Sequence, residues 1–439
     1  MTRRTKTFRL AAVAATSALV LAACGGSDDD GGNDDSGSVE SKSDGVLTIG
    51  SLLPKTGNLA FLGPPEIAGV KLAVEEINAA GGVLGQPVEY VEGDSGGNGP
   101  GDANIAPEEA DKLINADVDA IIGAASSGVS QTVIDKILGA GVIQFSPANT
   151  STAFDEDPFD GEDLYFRTAP SDILQGAVLA NLLLQEGKQN VAIISTDDPY
   201  GTTLTEEVSK NLEAGGSKLS VDAQFFGSGS DNYDTQVDAI AGSSPDAVVV
   251  IAFNETVDII PSLAAAGVGP ADVPTYFVDG NTAEYNDDPA DPEDTFLPAG
   301  SLVGVKGTIP GAEAPAEFRQ RLLGIDPALT DFTYSAESYD ATIVTALAAL
   351  VAETDAADKV AAELPGVTKD GTKCTTFQEC ADLIAAGEDI DYDGVSGPIE
   401  LGSTGSPTAA SIGIWAYDDQ NFISPVEFIS GQIPDPSDG

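Results

Sequence analysis

Histidine is absent from the 439 residues, cysteine occurs three times, and tryptophan and methionine once each. Without histidine, Ser-His-Asp and Cys-His catalysis are excluded and the commonest transition-metal ligand is missing. Positive charge is scarce: 19 Lys and Arg stand against 71 Asp and Glu, a formal net charge of −52. That excess disfavours nucleic acid and anionic surfaces. It does not specify a cationic ligand, because a solvated acidic shell suited to a salty exterior accounts for it. Beyond residue 23 no apolar run approaches the roughly 18 residues a spanning helix needs, so the folded body is expected outside the membrane. Gly-rich turns such as 93–101 contain no Gly-Lys-Ser/Thr phosphate loop. The acidic runs at 28–30, 34–35 and 231–234 lack the ordered ligand spacing of a calcium loop. No cofactor and no metal are therefore expected.

What is present begins at the N-terminus. Arg3, Arg4, Lys6 and Arg9 precede an apolar stretch over 10–23 that ends in Leu21-Ala22-Ala23-Cys24. A basic patch, a short apolar core and small residues are the parts of a secretory signal, here 1–23. Leu-Ala-Ala-Cys resembles the bacterial lipoprotein box, which implies that Cys24 carries a diacylglycerol and becomes the new N-terminus; the alternative is an ordinary signal with an incidental cysteine. Residues 24–45 are mostly Gly, Ser, Asp and Asn and bury too little to fold, so they read as a lipidated flexible tether. The expected location is the outer face of the cytoplasmic membrane. Cleavage would leave 416 residues; it removes four positive residues and no acidic one, so −52 becomes −56. That length suits two domains.

The body alternates strand and helix. Strand 46–53 and a Gly/Pro-rich loop lead to helix 66–79, where Ile67, Val70, Val74 and Ile77 share a face and Gly81-Gly82 ends the helix. Strand 88–92, helix 107–115, strand 120–123, helix 130–138 and strand 142–145 follow. A second series runs from Tyr165-Phe166-Arg167-Thr168: helix 172–186, strand 191–195, helix 202–214, strand 221–226, helix 233–241, strand 247–252, helix 255–266 and strand 275–278. Strand 303–309 and a long helix over 335–351 come later. The alternation predicts an α/β fold of two Rossmann-like lobes with central parallel sheets, and a site where strand C-termini and helix N-termini of both lobes share a cleft.

Three strand exits carry polar loops: Gly123-Ala124-Ala125-Ser126-Ser127-Gly128, Ser146-Pro147-Ala148-Asn149-Thr150 and Asp197-Asp198-Pro199-Tyr200-Gly201. Free backbone N–H groups and two hydroxyls in the first would seat a carboxylate. Taken singly, each loop also reads as an ordinary turn. Glu255, at a helix start, is either a dipole-stabilised cap or an acid facing the cleft. A carboxylate seat on one lobe and an acid on the other would clamp an α-amino acid.

Ile49-Gly50-Ser51-Leu52-Leu53-Pro54-Lys55-Thr56-Gly57, Gly69 to Asn78 (Gly-Val-Lys-Leu-Ala-Val-Glu-Glu-Ile-Asn) and Gly81-Gly82-Val83-Leu84-Gly85 together resemble the periplasmic-binding-protein type I family, in its branched-chain amino acid (Leu/Ile/Val) receptor group of ABC importers. The resemblance covers roughly 46–430. It implies that Ser127 holds the ligand carboxylate, with Ser126 exchangeable by register, and that Ala148 and Thr150 add contacts. It further implies that Tyr200 covers the ligand, that Glu255 accepts the ammonium, and that Phe61 supplies an aromatic wall. Asn149 departs from the small residue usual there, and the acidic insert 287–294 has no counterpart. Three interlobe crossovers are implied near Thr168, Gly300 and 394–398. They give lobe 1 as 46–167 and 301–394, and lobe 2 as 168–300 and 395–439. The implied function is an extracytoplasmic receptor, monomeric, that delivers an amino acid to a membrane permease. Receptors for urea, short amides or another small polar solute share the fold, as do ligand-binding sensors. A carboxylate-dependent hydrolase is the enzyme alternative, for which no opposed acid pair stands out. With Cys24 consumed by lipid, Cys374 and Cys380 are expected to form a local structural disulfide.

Overall fold

The computed structural model describes residues 42–99, 101–156, 164–286 and 296–435. The leader, Cys24, the tether up to residue 41 and the acidic insert lie outside the described residues. The first sheet is built by β1 (Thr48–Leu53), β2 (Glu89–Asp94), β3 (Ala120–Gly123), β4 (Ile143–Ser146) and β5 (Tyr165–Arg167), in the order β2-β1-β3-β4-β5. Every pairing in it is parallel. The intervening helices are α1 (Gly63–Ala79), α2 (Ile105–Asn115) and α3 (Ser127–Gly139). Parallel strands need crossover helices, and covering both faces makes the strands apolar throughout, as the fully buried β1 and β3 are.

The second sheet takes α4 (Asp172–Gln185), β6 (Asn190–Thr196), α5 (Pro199–Ala214), β7 (Lys218–Leu219), β8 (Gln224–Phe226), α6 (Asp234–Ser243), β9 (Ala247–Ile251), α7 (Thr256–Ala265), β10 (Thr275–Phe277) and β11 (Lys306–Pro310). Side chains alternate between its faces with the period of two that a strand imposes. Val191 and Ile193 join the cluster under α4 and α5, whereas Ala192 and Ile194 join the one under α6 and α7.

The chain then returns to the first lobe. Helices α8 (Ala316–Ile325), α9 (Ser335–Ala352), α10 (Ala357–Glu363) and α11 (Phe377–Ala385) bury Phe318, Leu347, Val360 and Phe377 with Ile49 and Leu53 of β1. A two-stranded piece, β12 (Thr372–Cys374) with β13 (Ile390–Tyr392), sits beside them, and the Cys374–Cys380 disulfide ties β12 to α11. Last, β14 (Ala409–Tyr417) and β15 (Ile423–Gln432) form an antiparallel hairpin on the second sheet, giving the order β15-β14-β11-β10-β9-β6 with β7 and β8 both pairing β6.

Two boundaries move. Strand β11 pairs with β10 and β14, so 301–310 belongs to the second sheet and the crossover falls at Gly311 rather than near Gly300. Gly311 has φ +99°, a turn that favours glycine, and this is where the chain leaves the sheet. Ile399 and Leu401 are still buried in the first lobe's core, so the last crossover lies between Leu401 and Ala409 rather than at 394–398. The second of these points lies in the Gly/Ser/Thr/Pro run 402–408, a compositional break that marks it in the sequence. The strand expected over 221–226 shortens to β8 (Gln224–Phe226), with β7 (Lys218–Leu219) preceding it across Ser220 to Ala223.

Candidate functional site

Helices α1, α3 and α5 begin earlier than their apolar periodicity suggests, at Gly63, Ser127 and Pro199. The consequence is functional: Ser127 and Tyr200 lie in first turns, whose N–H groups lack intrahelical partners, and at α5 the Asp198 side chain takes up the Gly201 N–H at 2.8 Å. Gly123 turns β3 into its loop at φ +130°, and a Cβ there would sit 2.1 Å from the Leu52 carbonyl oxygen. Ser126 is the N-cap of α3 and accepts from the Val129 N–H at 3.4 Å, while Ser127 Oγ accepts from the Ser151 N–H at 3.3 Å.

Beyond β4, Asn149 is fully buried and faces backward. Its Nδ2 donates to the Ala125 and Ala124 carbonyls at 2.8 and 3.1 Å, and its Oδ1 accepts from Tyr165 OH at 3.0 Å. It staples the two first-lobe loops together, which accounts for a large amide where a small residue is usual. Arg167 supports the same loop from beneath. Its guanidinium donates to the Asn149 and Ser151 carbonyls at 3.1 and 2.9 Å, to Ser406 Oγ at 2.8 Å and to Asp155 Oδ2 at 2.6 Å.

Thr150 and Ala148 are buried between, and Thr150 Oγ1 makes no well-formed hydrogen bond. The Thr150 hydroxyl faces Asp172, whose backbone N–H donates to the Thr150 carbonyl at 2.7 Å. That backbone bond, with the Thr203 hydroxyl donating to Asp172 Oδ2 at 2.7 Å, fixes the carboxyl at the base of the cleft. Burial pushes Asp172 up to about 7, the Thr203 and Thr150 hydroxyls oppose the rise, and the charge of Asp279 adds to it.

The second lobe answers with Asp279, just past β10. Its Oδ1 accepts from Tyr200 OH at 2.7 Å and Gln175 Nε2 at 2.9 Å, and its Oδ2 accepts from Tyr334 OH at 2.7 Å. Tyr200 comes from α5 and Tyr334 from the residue before α9, so tyrosines of both lobes meet on one carboxylate. Burial raises Asp279 above the usual carboxylate range, and the three donors hold it back. The same environment raises the Tyr200 phenol far above its ordinary value, so it remains a donor. Tyr200 also lies against Phe253, ring centroids 5.4 Å apart. Leu59, Leu62, Ala125, Ala148, Tyr200, Phe253 and Tyr334 form one buried cluster across the cleft, with Phe61 partly buried against it. The lobes are closed on each other.

Glu255 does face the first lobe. Its Oε1 accepts from Asn58 Nδ2 at 3.0 Å and its Oε2 from the Phe253 N–H at 3.1 Å. Asp279, Tyr334, Asn58 and Asp172 are absent from the residues expected of the sequence. Asp279 had a usable signal, since it leaves a strand end as the other loops do. Tyr334 had none, because its left-handed conformation (φ +57°) at the head of α9 follows from packing.

Two parallel-sheet lobes, joined by three crossovers and closed over opposed hydrogen-bonding groups, define a two-lobe receptor for a small molecule. A family model described as periplasmic binding protein matches residues 46–408, and the chain belongs to that family, in its type I form. A chemotactic signal transduction system substrate-binding protein, BasB of Halobacterium salinarum, is 26% identical over 81% of this chain and 83% of its own length. The leucine-, isoleucine-, valine-, threonine- and alanine-binding protein of Pseudomonas aeruginosa is 32% identical over 38% of this chain and 43% of its own length. Among solved structures, the leucine-binding protein LivK of Thermotoga maritima superposes with a TM-score of 0.69 at 19% identity, covering 90% of this chain and all of that one. LivJ of Streptococcus pneumoniae, solved with isoleucine, gives 0.68 at 21%, with 88% of this chain and all of that one covered. A solute-binding protein of R. palustris, solved with 4-hydroxybenzoate, gives 0.68 at 18%, with 89% and 99% covered. Family and fold are those of solute-binding proteins, and among the described residues no helix is long and apolar enough to cross a membrane.

Proposed function

We propose that the chain is the extracytoplasmic receptor of an ABC importer and captures an α-amino acid with an apolar side chain. The observation that carries this reading is Asp279, a buried carboxylate ringed by Tyr200, Tyr334 and Gln175 and facing no cation among the described residues. A buried carboxylate in that setting gains most from a ligand ammonium. On the opposite lobe the ligand carboxylate meets the first-turn N–H groups of α3 with the Ser127 and Thr150 hydroxyls. The side chain lies against Phe61, Leu62, Ala148 and Phe253. We assign the ammonium to Asp279 rather than to Glu255, the acid expected from the sequence, because tyrosines of both lobes, Tyr200 and Tyr334, converge on Asp279, whereas Asn58 alone reaches Glu255 from the first lobe.

Closure then presents a joined two-lobe surface to a membrane permease, with Cys24 and its tether keeping the receptor at the membrane. The relative aligned over most of the chain is named for chemotactic signalling, which favours a second reading in which a transducer recognises the closed form.

Calorimetric titration of the ligand-stripped body with leucine, isoleucine, valine, benzoate and urea tests the assignment. Saturable micromolar binding of a branched-chain amino acid supports it. Binding of benzoate or urea alone moves the substrate class, and no binding by a folded sample defeats the ligand assignment.

A further inference from the structure

A cavity of about 330 Å³ lies beyond Tyr334, between the head of α9, the crossover after β11 and the β14–β15 hairpin. Phe332, Tyr334, Trp415 and Phe428 wall it with aromatic surface, and Asp331 and Glu337 line it with carboxylate. Trp415 and Phe428 meet edge to face, ring centroids 6.2 Å apart. Arg319, also in the lining, is paired with Glu313 at 3.5 Å.

Glu337 is 4% exposed, and no ion pair reaches it among the described residues. Its Oε1 would lie 2.2 Å from a Cβ at position 311, so Gly311 leaves the space this carboxyl occupies. Glu66 on α1 is fully buried, with both carboxyl oxygens unpartnered, and it feels the charges of Glu337 and Asp331. Burial pushes Glu337 up to about 8, a penalty that a bound cation would relieve. The Trp415 indole Nε1 is buried without an acceptor.

We propose that this cavity is a second ligand site, separate from the amino-acid cleft, that binds a small organic ammonium. Aromatic faces attract an ammonium through their quadrupoles, and Glu337 supplies the counter-charge. Among the described residues no three acidic side chains converge as a metal site would need, and the carboxylates repel an anion. A hydroxyl on the ligand would accept from Trp415 Nε1. The volume suits a molecule of choline's size.

The probe is choline, titrated calorimetrically into the folded chain and into its leucine-saturated form. Saturable one-to-one binding that leucine does not displace is expected. Glycine betaine, which carries a carboxylate into the acidic lining, should bind at least tenfold more weakly. Glu337→Gln and Trp415→Ala should each weaken choline by about tenfold, the range of a desolvated cation–π contact. If Glu337→Gln does not fold, Trp415→Ala carries the test. Absence of choline binding, competition by leucine, or unchanged affinity in the folded variants would overturn the proposal.

Discussion

The Asn58 side-chain amide spans the cleft, donating from Nδ2 to Glu255 Oε1 at 3.0 Å and to Asn98 Oδ1 at 2.7 Å. Asn98 in turn donates to Asp198 Oδ2 at 2.7 Å and accepts from Ser228 Oγ at 3.0 Å. Two amides of the first lobe are thus matched to two acids of the second. Hydrogen bonds to charged groups contribute about 1.5–3 kcal/mol each, and these are made in the closed form. Asn58→Ala is therefore expected to weaken ligand binding by about tenfold through faster release. Stopped-flow dissociation measures it, and an unchanged release rate would show that the contact does not hold the lobes together.

Asp279 and Glu255 are expected to differ in weight. Asp279→Asn keeps the shape but removes the charge from the ring of Tyr200, Tyr334 and Gln175, and should cost at least a hundredfold in amino-acid affinity. Glu255→Gln retains an acceptor for Asn58 and should cost about tenfold or less. Calorimetry of both variants separates the roles. A hundredfold loss in the Glu255 variant with a small one in the Asp279 variant would return the ammonium to Glu255.

Arg167 is fully buried, and one guanidinium organises four partners around the Ala148–Thr150 loop. Burial alone would raise its partner Asp155, but the Arg167 charge and the hydroxyls around it hold Asp155 below the usual range. Replacing one member of a buried pair leaves the other charge uncompensated, at about 3–5 kcal/mol. Arg167→Met should lose that much in urea unfolding and weaken ligand binding as well. A variant of wild-type stability would mean that the loop is held by Asn149 alone.

The fold was legible because its signals are local and repeated. Val191 to Ile194 and Ala247 to Ala252 are apolar on both faces, as only strands covered on both sides are, and glycines punctuate several returns, at Gly81, Gly141, Gly187, Gly216 and Gly267. The strand-exit loops placed Ser127, Thr150 and Tyr200 at the cleft for the same reason. Asn58, Tyr334 and Arg167 were illegible as site residues because their roles come from partners far along the chain: 197 residues separate Asn58 from Glu255, and 55 separate Asp279 from Tyr334. No periodicity or spacing records a hydrogen bond across that distance. The lobe boundary at Gly311 was hidden similarly, since β11 is assigned by its neighbours β10 and β14 rather than by its own residues.

Buried acids give the folded body an unusual pH dependence. Burial pushes Asp119 and Asp172 up to about 7, although the Thr48 N–H and the Thr203 hydroxyl respectively oppose the rise. A carboxyl with a raised folded pKa binds more protons in the native state than in the unfolded one, where it titrates near 3.8. Their contribution to stability falls as pH rises from about 4 to about 7, and Glu337, pushed up to about 8, carries the decline further. The excess negative charge pushes the same way, but salt screens exposed charges far more than buried ones. Melting temperature measured from pH 4.5 to 8.5 in 1 M salt should therefore decline by several degrees toward neutrality. Asp172→Asn, which preserves an acceptor for Thr203, should flatten part of that decline and raise the melting temperature at pH 8. A flat or rising profile at high salt would show that these carboxyls are hydrated and ionise normally in the folded protein.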